Sequence, residues 1–454
     1  MVDKEMEQIE QMNSFSELKG KKLLILGGIQ RTCAIVRRAQ ELGVYVIVAD
    51  FDPNTPAKKI ADEAVLIDAK DVDKLVDYCL ANNVDGITTA YVDFLLPVCM
   101  EVGKRIGKPF YADELMIKLS TDKIAFKEYC EKYDVPVPKT YDINAENYKD
   151  AARTINYPVF LKPTDASGSR GADICYDYED FCKKFEYALS FSKRKEVTVE
   201  DYLDGTEFIL DYILIDGEPY MVSMADRFTS KGRAVAINHP NLMILPSVNL
   251  GQYYKVVDPK VKKMFKELGF KNGVIFLQGY TKGDRITFYE MGCRLGGTWP
   301  YIDEMFQGYN PIDMLVSHAL TGKMLPDGAD PSSITPFFKG LASVIYFIAT
   351  SGEGKIAKIT GLDEVKQMPE VATTLQYYWE GDYFKLGTLT DVLFLAVHLT
   401  APDYDALNKA METVYTKLDY LDENGKSLMS PVIHMDAVTD GGSYVYKPNL
   451  EETK

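Results

Sequence analysis

The sequence predicts mixed architecture, with a parallel α/β domain in front and α+β structure behind it. Three observations carry that expectation. Strand-like and helix-like segments alternate from residue 21 to 112, the pattern of a parallel sheet. Two apolar segments near 273–297 flank the turn Lys282-Gly283-Asp284, a β-hairpin signal. Beyond Pro326, Pro331 and Pro336, further strands and helices follow with no chemistry that their residue types announce.

At 454 residues the chain has room for roughly two to four domains with real cores. Its 46% hydrophobic and 26% charged residues are those of a soluble globular protein. No apolar run reaches the roughly 20 residues needed to cross a bilayer. Residues 1–20 read as a polar, acidic tail without the apolar centre of a signal peptide. The seven cysteines include no CxxC pair, which fits reduced thiols and a cytoplasmic location. A net charge of −16 argues against nucleic acid or an anionic membrane as the main partner. The four histidines lack metal-ligand spacing, so zinc is not expected.

Lys21 to Gly28 is a buried strand, followed by a helix from about Thr32 to Leu42 and the strand Tyr45–Ala49, with Asp50 at its end. A helix near Val72–Asn82, a strand Gly86–Thr89 and a helix opened by Tyr91-Val92-Asp93 complete a βαβαβ run. An acid about 20 residues after a glycine turn invites a nicotinamide dinucleotide, but Gly27-Gly28-Ile29-Gln30-Arg31-Thr32 lacks the G-x-G-x-x-G spacing. The glycines serve equally well as a tight strand-to-helix turn. Asp93 stands at the carboxyl end of a parallel strand, where small ligands bind such sheets, or else caps its helix.

Ser120-Thr121-Asp122 cap a helix running to about Tyr133, which Pro136 and Pro138 end. Lys123 lies in its first turn, where the helix dipole disfavours a cation, so it answers either to an anion or to solvent. Tyr157 to Asp173 reads as a short strand ending in Lys162-Pro163, then a loop with Ser167, Gly168, Ser169, Arg170 and Gly171. Small residues there let backbone N–H groups approach phosphate oxygens, with Lys162 supplying charge; the alternative is a plain hairpin tip. The P-loop pattern G-x-x-x-x-G-K-S/T is absent. Val197–Leu203 is strand-like; Glu200 and the backbone edge suit a flat base, and Glu207 can accept from ribose hydroxyls. Strands Phe208–Ile215 and Pro219–Met224 meet at Asp216-Gly217. Residues 226–246, with Asp226, Arg227, Lys231, Arg233 and His239, read as a mobile loop near a site.

In the hairpin, period two places Phe288, Glu290 and Gly292 on one face and Tyr289, Met291 and Cys293 on the other. Symmetry about Asp284 sets Gln278 opposite Glu290, with Cβ atoms about 4.5–5.5 Å apart. A carboxylate facing an amide oxygen at that range grips one hard cation. Arg294 follows at once; the alternative is a solvent-facing Glu–Arg pair on a hairpin edge. Cys293, turned away from Glu290, reads as a core residue. Asn310-Pro311 starts a helix that Gly322 stops. Strands Ala342–Ala349 and Ile356–Thr360 and helices near Asp363–Met368 and Ala406–Leu418 make up the rest.

Taken in order, the motifs STDKIAFK at 120–127, VPVPK at 135–139, YPVFLKP at 157–163, SGSRG at 167–171, VEDYLDGTEF at 199–208, EMGCRLGG at 290–297 and GYNPIDM at 308–314 form a series. By that series the chain resembles the ATP-grasp superfamily, in the branch of carbamoyl-phosphate synthetase, biotin carboxylase and the carboxylate–amine ligases, over nearly its whole length. The resemblance implies a Rossmann-like parallel α/β domain at 21–112 and a two-lobed ATP-grasp domain at 113–326. Its small lobe would span about 113–198 and its large lobe about 199–326, with a C-terminal α+β domain at 327–454. It further implies that Lys123 and Lys162 contact ATP phosphates beneath the loop Ser167–Gly171. Glu200, with the backbone of Asp201, Tyr202 and Leu203, would take the adenine, and Glu207 the ribose. Gln278 and Glu290 would hold Mg2+, with Mn2+ able to substitute, and Arg294 would face the reacting carboxylate and its acyl phosphate. The family pattern is E-x-N-x-R, and Gly292 stands where the asparagine belongs. A water would fill that place, at some loss of metal affinity.

The function implied is an ADP-forming ligase that phosphorylates a small carboxylate and passes the acyl phosphate to an amine or similar nucleophile. Its partners would be small molecules and a second copy of the chain, since related families often dimerise. Gly292 motivates an alternative, an ATP-binding sensor or scaffold with weakened catalysis. A dehydrogenase using the front domain is the third reading, and a bicarbonate-dependent carboxylase is a variant of the first.

Overall fold

The computed structural model describes residues 14–164, 171–228, 240–296, 299–349, 353–385 and 393–429. Strands β1 (Lys22–Leu26), β2 (Tyr45–Ala49), β3 (Glu63–Val65) and β4 (Gly86–Thr88) form a parallel sheet in the order β3-β2-β1-β4. Strand β1 is apolar at successive positions because both of its faces are covered. Leu23 and Ile25 pack with Ile35 and Val36 of helix Thr32–Glu41. Leu24 and Leu26 pack on the other side with Leu75 and Cys99, from helices Val72–Ala81 and Leu96–Ile106. The glycine turn after β1 is a packing device. A Cβ on Gly28 would lie 2.0 Å from Thr55 Oγ1, and the Gly28 amide donates to Asp50 Oδ2 at 2.7 Å.

Helix Glu114–Thr121 precedes helix Lys123–Lys132. This corrects the expected cap: Ser120 and Thr121 close the first helix, both hydroxyls donating to Ile117 O. Asp122 alone caps the second, accepting from the amides of Ile124 and Ala125 at 3.0 and 3.1 Å. Strands β5 (Thr140–Tyr141), β6 (Val159–Pro163), β7 (Asp173–Cys175) and β8 (Val197–Asp201) make an antiparallel sheet in the order β5-β8-β6-β7. Phe181 and Phe185 of helix Tyr178–Phe191 fill one side of it.

Six strands continue the chain: β9 (Thr206–Ile215), β10 (Glu218–Phe228), β11 (Leu242–Leu245), β12 (Gly273–Lys282), β13 (Arg285–Gly292) and β14 (Leu341–Ile348). Of residues 226–246, expected as a mobile loop, both described ends join this framework: β10 runs through Phe228 and β11 begins at Leu242, while 229–239 lie outside the described residues. Asp226 is buried and accepts from the Ser247 hydroxyl at 2.6 Å. Lys231, Arg233 and His239 lie outside the described residues. Next come β15 (Glu353–Lys355), β16 (Lys358–Thr360), β17 (Val371–Gln376), β18 (Tyr383–Lys385), β19 (Leu393–Ala401) and β20 (Asp419–Leu421). One eight-stranded sheet has the order β13-β12-β9-β10-β11-β14-β19-β17, so the C-terminal segment extends the sheet that carries the hairpin.

Helix Pro311–Thr321 is the joint between front and middle. Its Asn310 cap accepts from the Ile312 amide at 2.9 Å, and Gly322 ends it at φ +82°. Every residue from Pro311 to Leu320 is buried. Arg38 of the front domain donates to both oxygens of its Asp313 at 2.6 and 2.7 Å. No described helix is long and apolar enough to cross a membrane.

Candidate functional site

Gln278 of β12 stands opposite Glu290 of β13, as expected, but for a different reason. The turn pairs Lys282 with Arg285, which in a regular hairpin would set Gln278 against Tyr289. A β-bulge beyond Gly279, which faces Phe288, takes up one extra residue, Tyr289, and restores the Gln278–Glu290 pairing. The bulge also overturns the expectation that Tyr289 faces away from Glu290's partners. Its hydroxyl donates to Gln278 Oε1 at 3.2 Å and to the Glu207 carboxylate.

Glu290 is partly exposed and pairs with Lys123 Nζ at 3.1 Å. An ammonium thus occupies the place beside Gln278 and Glu290 where a cation would be held. One amide oxygen and one carboxylate suit a hard divalent ion that keeps several waters and takes phosphate oxygens as further ligands. The donor set therefore fits one magnesium ion. Among the described residues there is no group of three or more His, Cys, Asp or Glu side chains that could form a protein-only cage.

Lys162, on β6, reaches both oxygens of Glu200 at 3.1 and 3.2 Å. Lys127, one turn after Lys123, contacts the same carboxylate from a buried position. Burial pushes Lys162 down to about 8, with Glu200 opposing that fall and the charges of Lys127 and Lys123 adding to it. Lys127 is lowered too, chiefly by burial. Burial alone would raise Glu200, but the two ammonium groups outweigh it and hold the carboxylate below its ordinary range. The position expected to receive adenine is thus, in this structure, the counter-ion of two lysines. Lys127 went unmarked in the sequence because only tertiary packing brings it to Glu200.

The backbone edge beyond Glu200 is also engaged: the Asp201 amide donates to Lys139 O at 3.0 Å and the Tyr202 amide to Pro158 O at 3.4 Å. Leu203 and Tyr280 line a recess of only about 10 Å3, too small as it stands for a base. Glu207 is held by its cross-strand partner Arg227, Nη1 to Oε1 2.6 Å, and by Tyr289. Arg227 had been assigned to a loop; it is a β10 residue facing Glu207. Ser167, Gly168, Ser169 and Arg170 lie outside the described residues, and Gly171 follows them at φ +74°.

Arg294 links the hairpin segment to the front domain. Its Nε donates to Asp93 Oδ1 at 2.9 Å, its Nη1 to Leu295 O at 2.9 Å, and its guanidinium carbon lies 4.9 Å from the centre of the Phe276 ring. Asp93 therefore acts as the partner of Arg294, across 201 residues of sequence. Gly292 shows why no asparagine stands there: a Cβ would lie 2.2 Å from two carbons of the Phe276 ring. The Phe276 ring occupies the space that a side chain at position 292 would enter. Cys293 is buried, its thiol 3.2 Å from Ser120 Oγ and pushed up to about 12 by burial, as a core residue should be.

Two family models match the chain: the carbamoyl-phosphate synthase L chain ATP-binding domain over residues 122–323 and the ribonucleotide synthetase preATP-grasp domain over 20–106. The 2-oxoglutarate carboxylase small subunit of Hydrogenobacter thermophilus is 26% identical over 316 residues, 64% of this chain and 65% of the relative, so the chain spans just under two thirds of that protein. An L-amino acid ligase from Bacillus licheniformis superposes with a TM-score of 0.72 at 19% identity, over 89% of this chain and all of the other. The biotin carboxylase domain dimer of the Hydrogenobacter thermophilus 2-oxoglutarate carboxylase, in complex with MgADP, ADP and bicarbonate, superposes at 0.71 and 19% identity, over 88% of this chain and 91% of the other. The preceding parallel sheet and the matched models lead to one assignment: the chain carries an ATP-grasp module, a preATP-grasp domain at 20–106 followed by an ATP-binding domain of the carbamoyl-phosphate synthase L chain type at 122–323.

Proposed function

We propose that the protein is an ATP-dependent, ADP-forming ligase that activates a small carboxylate and joins it to an amine or similar nucleophile. One observation supports the reading: Lys123 pairs with Glu290, which stands opposite Gln278, and Lys162 pairs with Glu200, so two ammonium groups rest on carboxylates that a magnesium-bound nucleotide would compete for. Glu290 and Gln278 would hold magnesium, which would supply positive charge to the transferring phosphoryl group when bound. Lys123, now paired with Glu290, would then be the ammonium that reaches the phosphates. Lys162 adds a second ammonium from the strand beside it.

Arg294 presents a planar fork to the reacting carboxylate, and its hold on Asp93 and the Phe276 ring keeps that fork in one orientation. The residues position groups and neutralise developing charge, which is where phosphoryl-transfer enzymes gain most of their rate. The nucleotide's adenosine lies along Glu200 to Leu203 and Glu207, the ribose acid exchanging Arg227 or Tyr289 for hydroxyl donors. The reading extends to a cytoplasmic protein and a homodimer, supported by the dimeric biotin carboxylase neighbour.

An ADP-release screen across amino acids, small carboxylates and bicarbonate tests this proposal. ADP is expected only when both an acid and an acceptor are present, and Glu290→Ala and Arg294→Ala should each abolish it while the proteins stay folded. Full turnover in either variant would remove the site assignment, and ATP binding indifferent to magnesium would favour a sensor without turnover.

A further inference from the structure

A second cavity, of about 400 Å3, opens between the front domain and strand β17. Pockets that take metabolite-sized ligands run from about 300 to 1,000 Å3. One face of helix Thr32–Glu41 forms its wall. Arg31, Ala34, Arg37, Arg38 and Glu41 recur at three- and four-residue steps, so they share that face, and Ala34 keeps it open by being short.

The three arginines differ in what they do. Arg38 is committed to Asp313, Glu304 and Glu41, at 2.6, 2.9 and 3.2 Å. It thereby also accounts for both acids that line the cavity. Arg31 and Arg37 form no ion pair with a described carboxylate, although the chain carries a net charge of −16. Their described neighbours are hydroxyls. Arg31 lies beside Tyr377, whose hydroxyl burial raises and Arg31 partly lowers again. Arg37 acts in the same sense on Tyr301, which burial brings up to about 12.

Tyr91 connects this cavity to the catalytic crevice. Its ring is buried, and burial raises its hydroxyl while the charges of Arg31 and Arg294 oppose the rise. The backbone is joined at the same place, the Leu295 amide donating to Ala90 O at 3.2 Å, next to the Arg294–Asp93 contact. The Tyr91 end of the cavity thus adjoins the segment that carries Arg294, while Arg31 and Arg37 also line it.

We propose that this cavity binds the acceptor substrate, and that the acceptor is a small amine bearing an acidic group, carboxylate or phosphate, held by Arg31 and Arg37. Guanidinium forks bind both kinds of anion through paired N–H donors, whereas an amine without an acidic group would leave Arg31 and Arg37 with no anionic partner among the described residues. The proposal rests on the ligase reading for the word acceptor, but the anion site stands on the cavity itself.

Calorimetry on the full chain with malonate and with inorganic phosphate as separate probes tests the site. The wild-type protein should bind at least one of them, and the preferred probe tells carboxylate from phosphate. Arg31→Gln and Arg37→Gln should each weaken that binding at least about tenfold, with ATP affinity in the same preparations unchanged within about twofold. Neither probe binding the wild type, or binding undiminished in the double variant, overturns the site. With an active acceptor in hand, both variants should raise its KM about tenfold while leaving kcat within about threefold. A KM that does not move would sink the acceptor assignment but leave the ligase reading intact. Anion binding lost in the variants of a chain that never releases ADP would sink the ligase reading but not the site.

Discussion

Gly292 gives the sharpest quantitative prediction. Replacing it by asparagine restores the side chain that the family pattern has there, yet the new Cβ would sit 2.2 Å from two carbons of the Phe276 ring. The ring is 4% exposed and belongs to a buried cluster with Ile209, Ile302 and Phe338, so displacing it disturbs packed neighbours. Forcing extra atoms into such a place costs about 1–3 kcal/mol. Gly292→Asn should therefore lower the urea midpoint and, because the ring still fills the space, should not strengthen magnesium-dependent ATP binding. Phe276→Ala alone costs about 3–5 kcal/mol through the cavity it leaves and frees Arg294 from its aromatic support. In the double variant the asparagine enters the vacated space, so the two costs should fall short of their sum by about 0.5–3 kcal/mol. Urea titrations of the four proteins, with magnesium titrations of ATP binding beside them, measure both effects. Gly292→Asn within about 0.5 kcal/mol of wild type, or strict additivity, would refute the steric argument.

Lys162 should couple ATP binding to protons. Its ammonium titrates near 8 in the ligand-free protein, and a bound triphosphate favours the charged form, so between about pH 8 and 10 binding should take up a proton. Calorimetry in two buffers of different ionisation heat reads this directly, and Lys162→Met should remove it. The same depression means that the folded state binds fewer protons than the unfolded one from about 8 to the ordinary lysine value of 10.5, so this group makes stability rise with pH across that window. Glu200→Gln leaves Lys127 and Lys162 buried without their carboxylate and should cost about 3–5 kcal/mol in denaturant titration, whereas a neutral result would show that both lysines shed their protons freely. Chelating magnesium should weaken ATP binding without shifting the unfolding midpoint, and a coincident loss of fold would mean the ion is structural. Light scattering should find a dimer, and a monomer at all concentrations would remove that part of the proposal.

Local patterns were enough to place much of the site. The Asp122 cap brings Lys123 to a helix start, the strand 159–163 carries Lys162 next to its last residue, and the single hairpin 273–292 brings Gln278 to Glu290; each needs only neighbours close in sequence. What these groups touch was beyond the sequence. Lys127 meets Glu200 across 73 positions, Arg227 turned out to be a strand residue facing Glu207, and Asp93 reaches Arg294 from another domain. One extra residue at the bulge moved Tyr289 to the side of Gln278, a change that period-two reading has no means of detecting. Likewise, Gly292 looked like a missing ligand from sequence alone, and only packing revealed the ring that fills its place. Amino-acid order thus specified which chemical groups lie on which element, because strand and helix periods are local. Their partners, their protonation and the cavity of Arg31 and Arg37 were settled by how distant elements pack, since burial and contact are properties of the assembled chain.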